Sequence, residues 1–208
     1  MYKFDYVTKE MYSPTKKALI NLINLVQDEV RDKFTFRFDF IGSASRNMIT
    51  CDHTTNSGYD FDVDIRVNDD NEKFTAKEIK NIIRQAFDRH SNKFSYENAE
   101  DSKRVLTIKF VNTTESRIIH SCDFGIVHDG REGQQYIHFN KFQNTYEWQY
   151  QPREHYEVFE RAQIIKNKGK WSELRKHYLF LKNNNPDRGK KSRHIYQEAV
   201  NNIYNKYY

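Results

Sequence analysis

The sequence predicts an α+β fold, with a mixed β-sheet core flanked by helices over residues 1–144 and a basic helical lobe over residues 145–208. Two apolar patterns indicate this fold. Short segments that alternate apolar and polar residues, as half-buried strands do, are interspersed with segments whose apolar residues recur at helical spacing. After Pro152 only the helical spacing remains. The low content of three Pro and seven Gly argues against long irregular segments.

The first helix is expected over residues 14–33. Ser13 and Pro14 form a typical helix start, and the apolar residues that follow recur at helical spacing. A strand over residues 34–40 comes next, because Phe occupies every second position and polar residues fill the positions between. This strand is therefore expected to bury one face and expose the other.

The strand leads into Gly42-Ser43, where a short helix to about residue 49 is expected, followed by a polar loop over residues 51–58. The segment YDFDVDIRV over residues 59–67 alternates again and predicts a second strand. The remaining predicted elements are a helix over 75–90, strands over 104–112, 117–127 and 135–140, and helices over 153–167, 171–183 and 192–208.

Composition and charge limit the class of protein. Hydrophobic residues make up 37% and aromatic residues 15%, enough for a folded core built largely on Phe and Tyr. The net charge is +5, and residues 161–193 hold eleven Lys or Arg against two acids. Such a region is either a solvated helical face or a surface that attracts a polyanion. The charge pattern leaves both readings open.

The chain shows no sign of a membrane or secretory segment. Its first ten residues, MYKFDYVTKE, lack the apolar run of a signal peptide. No apolar run approaches the roughly 20 residues that span a bilayer. Cys51 and Cys122 lack the paired spacing of a zinc site and are expected to be free thiols. We therefore expect a cytoplasmic protein with no membrane partner.

Three aspartates occupy alternate positions of the second strand. Asp60, Asp62 and Asp64 point to the same face, because side chains two residues apart in a strand do so. Parallel carboxylates raise each other's pKa unless a cation lies between them. Mg²⁺ prefers such oxygen ligands and completes its shell with water and substrate phosphates. The alternative is an outward face of solvated aspartates, which the spacing alone does not exclude.

Two further features point to phosphate and metal chemistry. Gly42-Ser43 lies between a strand and a short helix, where backbone N–H groups and the Ser43 hydroxyl can bind phosphate. Arg46 follows closely and either pairs with a phosphate or lies on the surface. Asp123 lies in a later strand. If that strand lies beside the aspartate strand, the carboxylates form one cluster able to hold two metal ions; otherwise Asp123 is a strand-end acid in a salt bridge.

The combination of Gly42-Ser43, the Asp60/Asp62 pair and Asp123 resembles the signature of the polymerase-β-type nucleotidyltransferase superfamily. The segment YDFDV is similar to the form in cyclic GMP–AMP synthase and oligoadenylate synthase. The resemblance implies a nucleotidyltransferase core with Mg²⁺ or Mn²⁺ bound by the three acids. It also implies a nucleoside triphosphate such as ATP as donor, release of pyrophosphate, and a role for Asp123 as general base or metal ligand.

The chain departs from the family pattern in one respect and leaves a choice in another. The loop before the acid pair is longer than usual for the family. Asp62/Asp64 fits the pattern as well as Asp60/Asp62 does. We prefer Asp60/Asp62, because Gly58 supplies the turn that precedes the pair. Asp64 is then an additional acid with a basic partner.

The helical lobe of related enzymes supplies a Lys, a Ser and an aromatic residue to the triphosphate and the base. Lys182, Ser192 and Tyr196 are the candidates here, on a loose match. Tyr146 and Trp148 are candidates for stacking on a base, although aromatic residues in a chain so rich in them are typical of a core.

Two other functions remain open. The chain could be a catalytically inactive nucleotidyltransferase fold that binds RNA or a protein partner through its basic lobe. It could also be a metal-dependent nuclease, which would leave Gly42-Ser43 without a role. The acceptor of a transferase is not readable. The basic residues favour a nucleotide or RNA over a small molecule or a protein.

Overall fold

The structure is a computed structural model that describes residues 3–55, 58–69, 72–152, 154–187 and 189–208. Its contacts group the chain into two compact units, which we call the sheet unit and the helical unit. The sheet unit contains Val7–Thr50 and Asn56–Gln151, and the helical unit contains Met1–Tyr6, Cys51–Thr55 and Pro152–Tyr208. The domain boundary expected after residue 144 stays a prediction.

The predicted α+β fold is confirmed, with four short strands that the sequence did not predict. In chain order the elements are β1 (Phe4–Tyr6), α1 (Lys9–Val30), β2 (Thr35–Ile41), α2 (Gly42–Ser45), β3 (Thr50–Asp52), β4 (Tyr59–Asn68), α3 (Ala76–Ser91), a 3₁₀ turn (Asn92–Phe94), β5 (Glu100–Asp101), β6 (Val105–Asn112), β7 (Arg117–Gly130), β8 (Gly133–Asn140), β9 (Thr145–Tyr150), α4 (Glu154–Asn167), α5 (Trp171–Asn184) and α6 (Ser192–Tyr207). The unexpected strands are β1, β3, β5 and β9. The first three have only two or three residues, too few to show an alternating pattern.

Helix α1 begins earlier than the sequence indicated. The predicted start at Pro14 was wrong, because the Thr8 side chain accepts a hydrogen bond from the Met11 N–H at 3.4 Å and caps the helix there. Pro14 therefore lies inside the helix, where it removes one backbone hydrogen bond near the start. Helix α2 also ends earlier than expected, at Ser45 instead of about residue 49.

The main sheet has the strand order β2-β4-β7-β6-β5, and β8 pairs with β7 and β9. Strands β4 and β7 are parallel, and the other pairs are antiparallel. The long strand β7 therefore lies in the middle of the sheet unit, beside the aspartate strand. This parallel pair fixes which side chains of the two strands are neighbours.

The two faces of the sheet differ in character. One face is apolar and packs against α1 and α3; the Phe87 ring of α3 lies 4.3 Å from the Phe124 ring of β7. Phe61, Val63 and Ile65 of β4 are fully buried on this face, and each such side chain contributes roughly 1.5–3 kcal/mol by leaving water. The alternate residues of β4, including the three aspartates, necessarily lie on the other face.

The helical unit packs α4, α5 and α6 around an apolar interior. The buried apolar and aromatic residues of these helices are Ala162, Ile165, Leu174, Tyr178, Ile195, Tyr196, Ala199, Val200 and Ile203. Within this unit the Asn183 side chain of α5 bonds both backbone groups of Phe4 in β1, accepting at 2.7 Å and donating at 3.1 Å. Among the residues described, every helix is too short or too polar to cross a lipid bilayer.

Candidate active site

Acidic side chains of two neighbouring strands lie together on the polar face of the sheet. We call Asp60 and Asp62 of β4 with Asp123 of β7 the acid row. In the parallel pairing of β4 and β7, Asp62 lies directly opposite Asp123 and Asp60 lies opposite Ser121. The condition set by the sequence analysis, that the Asp123 strand lie beside the aspartate strand, is thus met. Asp60, Asp62 and Asp123 share one face because paired residues on adjacent strands point the same way.

Burial and nearby negative charge act on Asp62 and Asp123. Burial raises the pKa of Asp62 to about 6, and the nearby charges of Asp123 and Asp60 push it in the same direction. Arg46 opposes this rise in the pKa of Asp62. Burial also raises the pKa of Asp123, against the lowering effects of the Thr107 hydrogen bond and the Lys109 charge. Asp62 and Asp123 are therefore harder to ionise here than in water.

Gly42 brings the backbone against this acid row. Its φ is +60°, a conformation that L side chains rarely adopt. A Cβ atom on Gly42 would lie 2.2 Å from the Asp62 Oδ2 atom, so no side chain fits there. Ser43 follows at the start of the four-residue helix α2, and its backbone oxygen accepts from the Met48 N–H at 2.8 Å. A phosphate contact by Gly42 and Ser43 stays a prediction.

Two hydroxyl groups bond to the acid row, and neither was predicted from the sequence. The Thr107 hydroxyl on β6 donates to the Asp123 Oδ1 atom at 2.5 Å. The Ser121 hydroxyl on β7 donates to the Asp60 Oδ1 atom. Ser121 lies two residues before Asp123, so strand alternation could have placed it on the same face. Thr107 could not have been found without the register of β6 against β7.

Asp64 belongs to a different polar cluster. It pairs in register with Gly125 of β7 and Asp39 of β2, not with Asp123. The Arg66 guanidinium, two residues further along β4 on the same face, makes ion pairs of 2.8 Å with Asp39 and with Asp129. Burial raises the pKa of Asp64 to about 6, and Arg66 opposes that rise. This register favours Asp60/Asp62 as the metal pair, a choice that stays a prediction.

Comparison with solved structures identifies the fold. Vibrio cholerae DncV in its GTP-bound form matches with a TM-score of 0.61 and 16% identity, over 98% of this chain and 53% of that chain. Escherichia coli DncV bound to 3'-deoxy GTP gives 0.61 and 16%, over 98% and 55% of the two chains. The CD-NTase CdnG of Bradyrhizobium diazoefficiens, in complex with GTP, gives 0.51 and 9%, over 68% and 39%. The chain has the nucleotidyltransferase fold.

The predicted resemblance is thereby confirmed at the level of the fold. The chain spans about half the length of the DncV structures that it matches. No family model and no curated protein sequence matches it. With identities of 9–16%, the likeness establishes the nucleotidyltransferase fold and leaves the activity to be argued from the site.

The acid row fits a hard divalent cation by its chemistry. In the part of the chain that the structure describes, no three His, Cys, Asp or Glu side chains are already arranged to hold a metal ion. A nucleotidyltransferase fold does not need such a cage, because Mg²⁺ usually binds one or two carboxylates together with substrate phosphates. Burial raises the pKa of Asp62, and the charges of Asp123 and Asp60 add to the rise, so a cation there would stabilise the ionised carboxylate.

The candidates in the helical unit occupy different environments. Lys182 is 6% exposed, and its amino group lies 4.0 Å from the centre of the Phe4 ring. Tyr196 is 7% exposed and packs edge-on against Tyr178. Ser192 is exposed at the first position of α6. Their contact with a nucleotide stays a prediction.

The two aromatic candidates of β9 lie in the sheet unit. The Tyr146 ring stacks on Phe139 at 4.3 Å, and its hydroxyl donates to Asp101 at 2.8 Å. The Trp148 ring lies 6.0 Å from His128 and is half-buried. Tyr146 therefore has a packing role, and base stacking by either residue stays a prediction.

Proposed function

We propose that the protein is a nucleotidyltransferase that moves a nucleoside monophosphate from a nucleoside triphosphate to an acceptor hydroxyl and uses Mg²⁺ or Mn²⁺. The observation that carries the proposal is the side-by-side register of Asp62 and Asp123, with Asp60 on the same face and Gly42 against Asp62. The nucleotidyltransferase fold supports it. The buried Cys122, which forms no disulfide, supports a reducing, cytoplasmic setting as part of the proposal.

The proposed reaction joins the acceptor oxygen to the α-phosphorus of the triphosphate. The bond from that phosphorus to the oxygen of the β-phosphate breaks, so pyrophosphate leaves and the acceptor hydroxyl loses its proton. A bound divalent cation supplies charge neutralisation at the phosphates and lowers the pKa of the acceptor hydroxyl. The protein contributes the orientation of the two substrates.

The acids divide this work between donor and acceptor. Asp60 and Asp62 would hold the cation, because they lie two residues apart on one strand face. Asp123 lies on the side of Asp62 away from β2 and would face the acceptor hydroxyl, as general base or as a further metal ligand. Asp64, which lies opposite Asp39 and Gly125 and is influenced by the Arg66 charge, would stay outside the reaction.

The donor phosphates would lie on the β2 side of the acid row. Gly42 lets the backbone approach there, and the Ser43 hydroxyl follows directly. Arg46 supplies a positive charge that already acts on Asp62. On the family resemblance, Lys182, Ser192 and Tyr196 of the helical unit would contact the triphosphate and base.

The nucleotides bound in the matched structures suggest which donors to test. DncV and CdnG structures contain GTP, and a further DncV structure contains 3'-deoxy ATP. ATP and GTP are therefore the first donors to examine. A nucleotide or RNA remains the favoured acceptor class, because residues 161–193 are strongly basic.

The test is transfer of label from α-labelled ATP or GTP, with Mg²⁺ or Mn²⁺ and with or without added RNA. Asp62→Asn, which keeps the side-chain shape and removes the charge, is expected to lower transfer by roughly 10²-fold or more. Asp39→Asn is the matched control, because Asp39 lies on the same sheet face but binds Arg66. It is expected to leave transfer unchanged.

Other outcomes would favour the alternatives. Salt-sensitive RNA binding without pyrophosphate release from any triphosphate would support the inactive binding module. Cleavage of RNA or DNA without added nucleotide would support the nuclease. Transfer that survives Asp62→Asn unchanged would contradict the proposed site.

A further inference from the structure

Two hydroxyl side chains flank the acid row, each on a strand next to the acid that it contacts. Thr107 of β6 pairs in register with Asp123 of β7, and Ser121 of β7 pairs in register with Asp60 of β4. Thr107 donates to the Asp123 Oδ1 atom at 2.5 Å, and Ser121 donates to the Asp60 Oδ1 atom. The same arrangement thus occurs twice, one strand apart.

Each hydroxyl occupies one oxygen of its carboxylate. In the part of the chain that the structure describes, the side-chain hydrogen bonds of Asp60 and Asp123 are those from Ser121 and Thr107, both to Oδ1. The Oδ2 atom of each carboxylate is left for another partner. A hydrogen bond to one oxygen also restricts rotation about the bond that carries the carboxylate.

The strand geometry places each hydroxyl within reach of its carboxylate and limits its orientation. The Cβ atoms of paired residues on adjacent strands lie about 4.5–5.5 Å apart, which is within reach of a short hydroxyl side chain. Thr107 is β-branched, so its χ1 angle is confined by the strand. Both hydroxyls and Asp123 are half-buried, so water competes less for the Asp123 carboxylate than at an open surface, whereas Asp60 is exposed.

We propose that Thr107 and Ser121 are positioning residues that hold Asp123 and Asp60 in the orientation that receives the divalent cation. This inference rests on the proposed function. The repelling carboxylates would otherwise turn away from one another. Hydrogen-bond partners of metal-binding carboxylates orient them and tune the affinity for the metal. Thr107 and Ser121 would act through the acids without touching the nucleotide.

The test measures metal binding apart from transfer. Binding of Mn²⁺ to the full 208-residue chain is titrated by electron paramagnetic resonance without nucleotide and with a non-hydrolysable triphosphate. Thr107→Val keeps the side-chain volume and removes the hydroxyl; it is expected to weaken Mn²⁺ binding about 10–100-fold. Ser121→Ala is expected to act in the same direction. Thr107→Ser restores a hydroxyl and is expected to retain most of the affinity.

Thr35→Val is the matched control. Thr35 lies on β2 and pairs with Asn68, at the far end of the same sheet from the acid row. Its substitution is expected to leave Mn²⁺ affinity unchanged. The transfer assay should agree: in Thr107→Val the Mg²⁺ concentration for half-maximal activity should rise by the factor found for Mn²⁺, and excess metal should restore part of the rate.

The outcomes separate the two proposals. If the wild-type chain transfers label and binds Mn²⁺, but both hydroxyl variants bind it with wild-type affinity, the positioning role is wrong and the proposed function stands. If the wild-type chain neither binds Mn²⁺ nor transfers label, the proposed function fails first. A lower melting temperature without a change in metal dependence would mean that the hydroxyls serve only the fold.

Discussion

Asp62 and Asp123 lie side by side on two parallel strands, and burial with this neighbouring charge raises the pKa of Asp62 to about 6. The folded chain therefore holds a proton on Asp62 at pH values where the unfolded chain has lost it. Ionised Asp62 destabilises the fold above about pH 6, and the effect disappears as the pH falls to about 4. A cation bound beside it would offset this cost.

Asp62→Asn should consequently make the fold more stable when no divalent cation is present. We expect the free energy of unfolding to rise by about 1–3 kcal/mol at pH 7.5 with EDTA, because Asn carries no charge to bury. Excess Mg²⁺ should stabilise the wild-type chain and narrow the difference. Urea unfolding with EDTA and with Mg²⁺ measures both effects. A less stable Asn variant in EDTA would contradict the electrostatic account.

The control for this experiment is Asp39→Asn. Asp39 is largely exposed and pairs with Arg66, so its loss should change the free energy of unfolding by at most about 1 kcal/mol, in the destabilising direction. Mg²⁺ should stabilise this variant as it does the wild-type chain.

Gly42→Ala should destabilise the fold through both backbone strain and a clash. The φ of +60° costs a residue with a Cβ atom about 1 kcal/mol, and that atom would lie 2.2 Å from Asp62 Oδ2. We expect a total loss of roughly 2 kcal/mol or more in urea unfolding. Gly169→Ala is the matched control, with a φ of +70° and no atom within 4 Å of the added Cβ. Equal losses in the two variants would exclude the clash.

The aspartate strand and the common face of Asp60 and Asp62 could be predicted from the sequence, because the alternation of side chains along a strand is a local property. The sequence alone could not predict that Asp62 and Asp123 are neighbours, because this depends on the parallel pairing of strands far apart in sequence. The hydrogen bond from Thr107 to Asp123 could not be predicted for the same reason, since it depends on the pairing of β6 with β7. One local signal was also misinterpreted. Thr8 and Ser13-Pro14 are both possible helix starts, and the helix begins after Thr8.

Strand β9 shows a different kind of omission. Its sequence TYEWQY alternates polar and aromatic residues, so the pattern of a strand was present. Its place beside β8 gives Tyr146 and Trp148 packing partners within the sheet unit. The candidate contacts in the helical unit, Lys182, Ser192 and Tyr196, came from resemblance alone and have no such local signal.

His120 should make the stability of the sheet unit sensitive to acid. Its ring stacks on Tyr59 and Phe110, and its Nε2 atom shares a 2.9 Å hydrogen bond with the Tyr96 hydroxyl. Burial lowers the pKa of His120 to about 4. The unfolded chain therefore binds a proton first, and stability falls as the pH drops from about 6.5 to about 4, by up to about 1.4 kcal/mol per pH unit.

The comparison for His120 is His120→Gln, which cannot take up a proton in this range. The variant should be less stable at pH 7.5, since Gln does not fill the stacked ring position, yet its stability should decline less steeply between pH 6.5 and pH 4.5. Urea unfolding at several pH values gives both slopes. Parallel slopes for the two proteins would show that another group titrates.

Lys80 should be a large contributor to the stability of the sheet unit. Its side chain is 1% exposed, and its amino group lies 2.8 Å from Asp101 and donates to the Ser102 carbonyl at 2.9 Å. Lys80→Met leaves the largely buried Asp101 charge without a cation, with only the Tyr146 hydroxyl as partner, so we expect a loss of about 3 kcal/mol in urea unfolding. Adding Asp101→Asn should recover part of that loss, because the unpaired charge is then gone.

Lys77→Met, at an exposed position of the same helix, should change stability by less than about 0.5 kcal/mol. Strictly additive losses in the double variant would mean that Lys80 acts through packing and not through its charge.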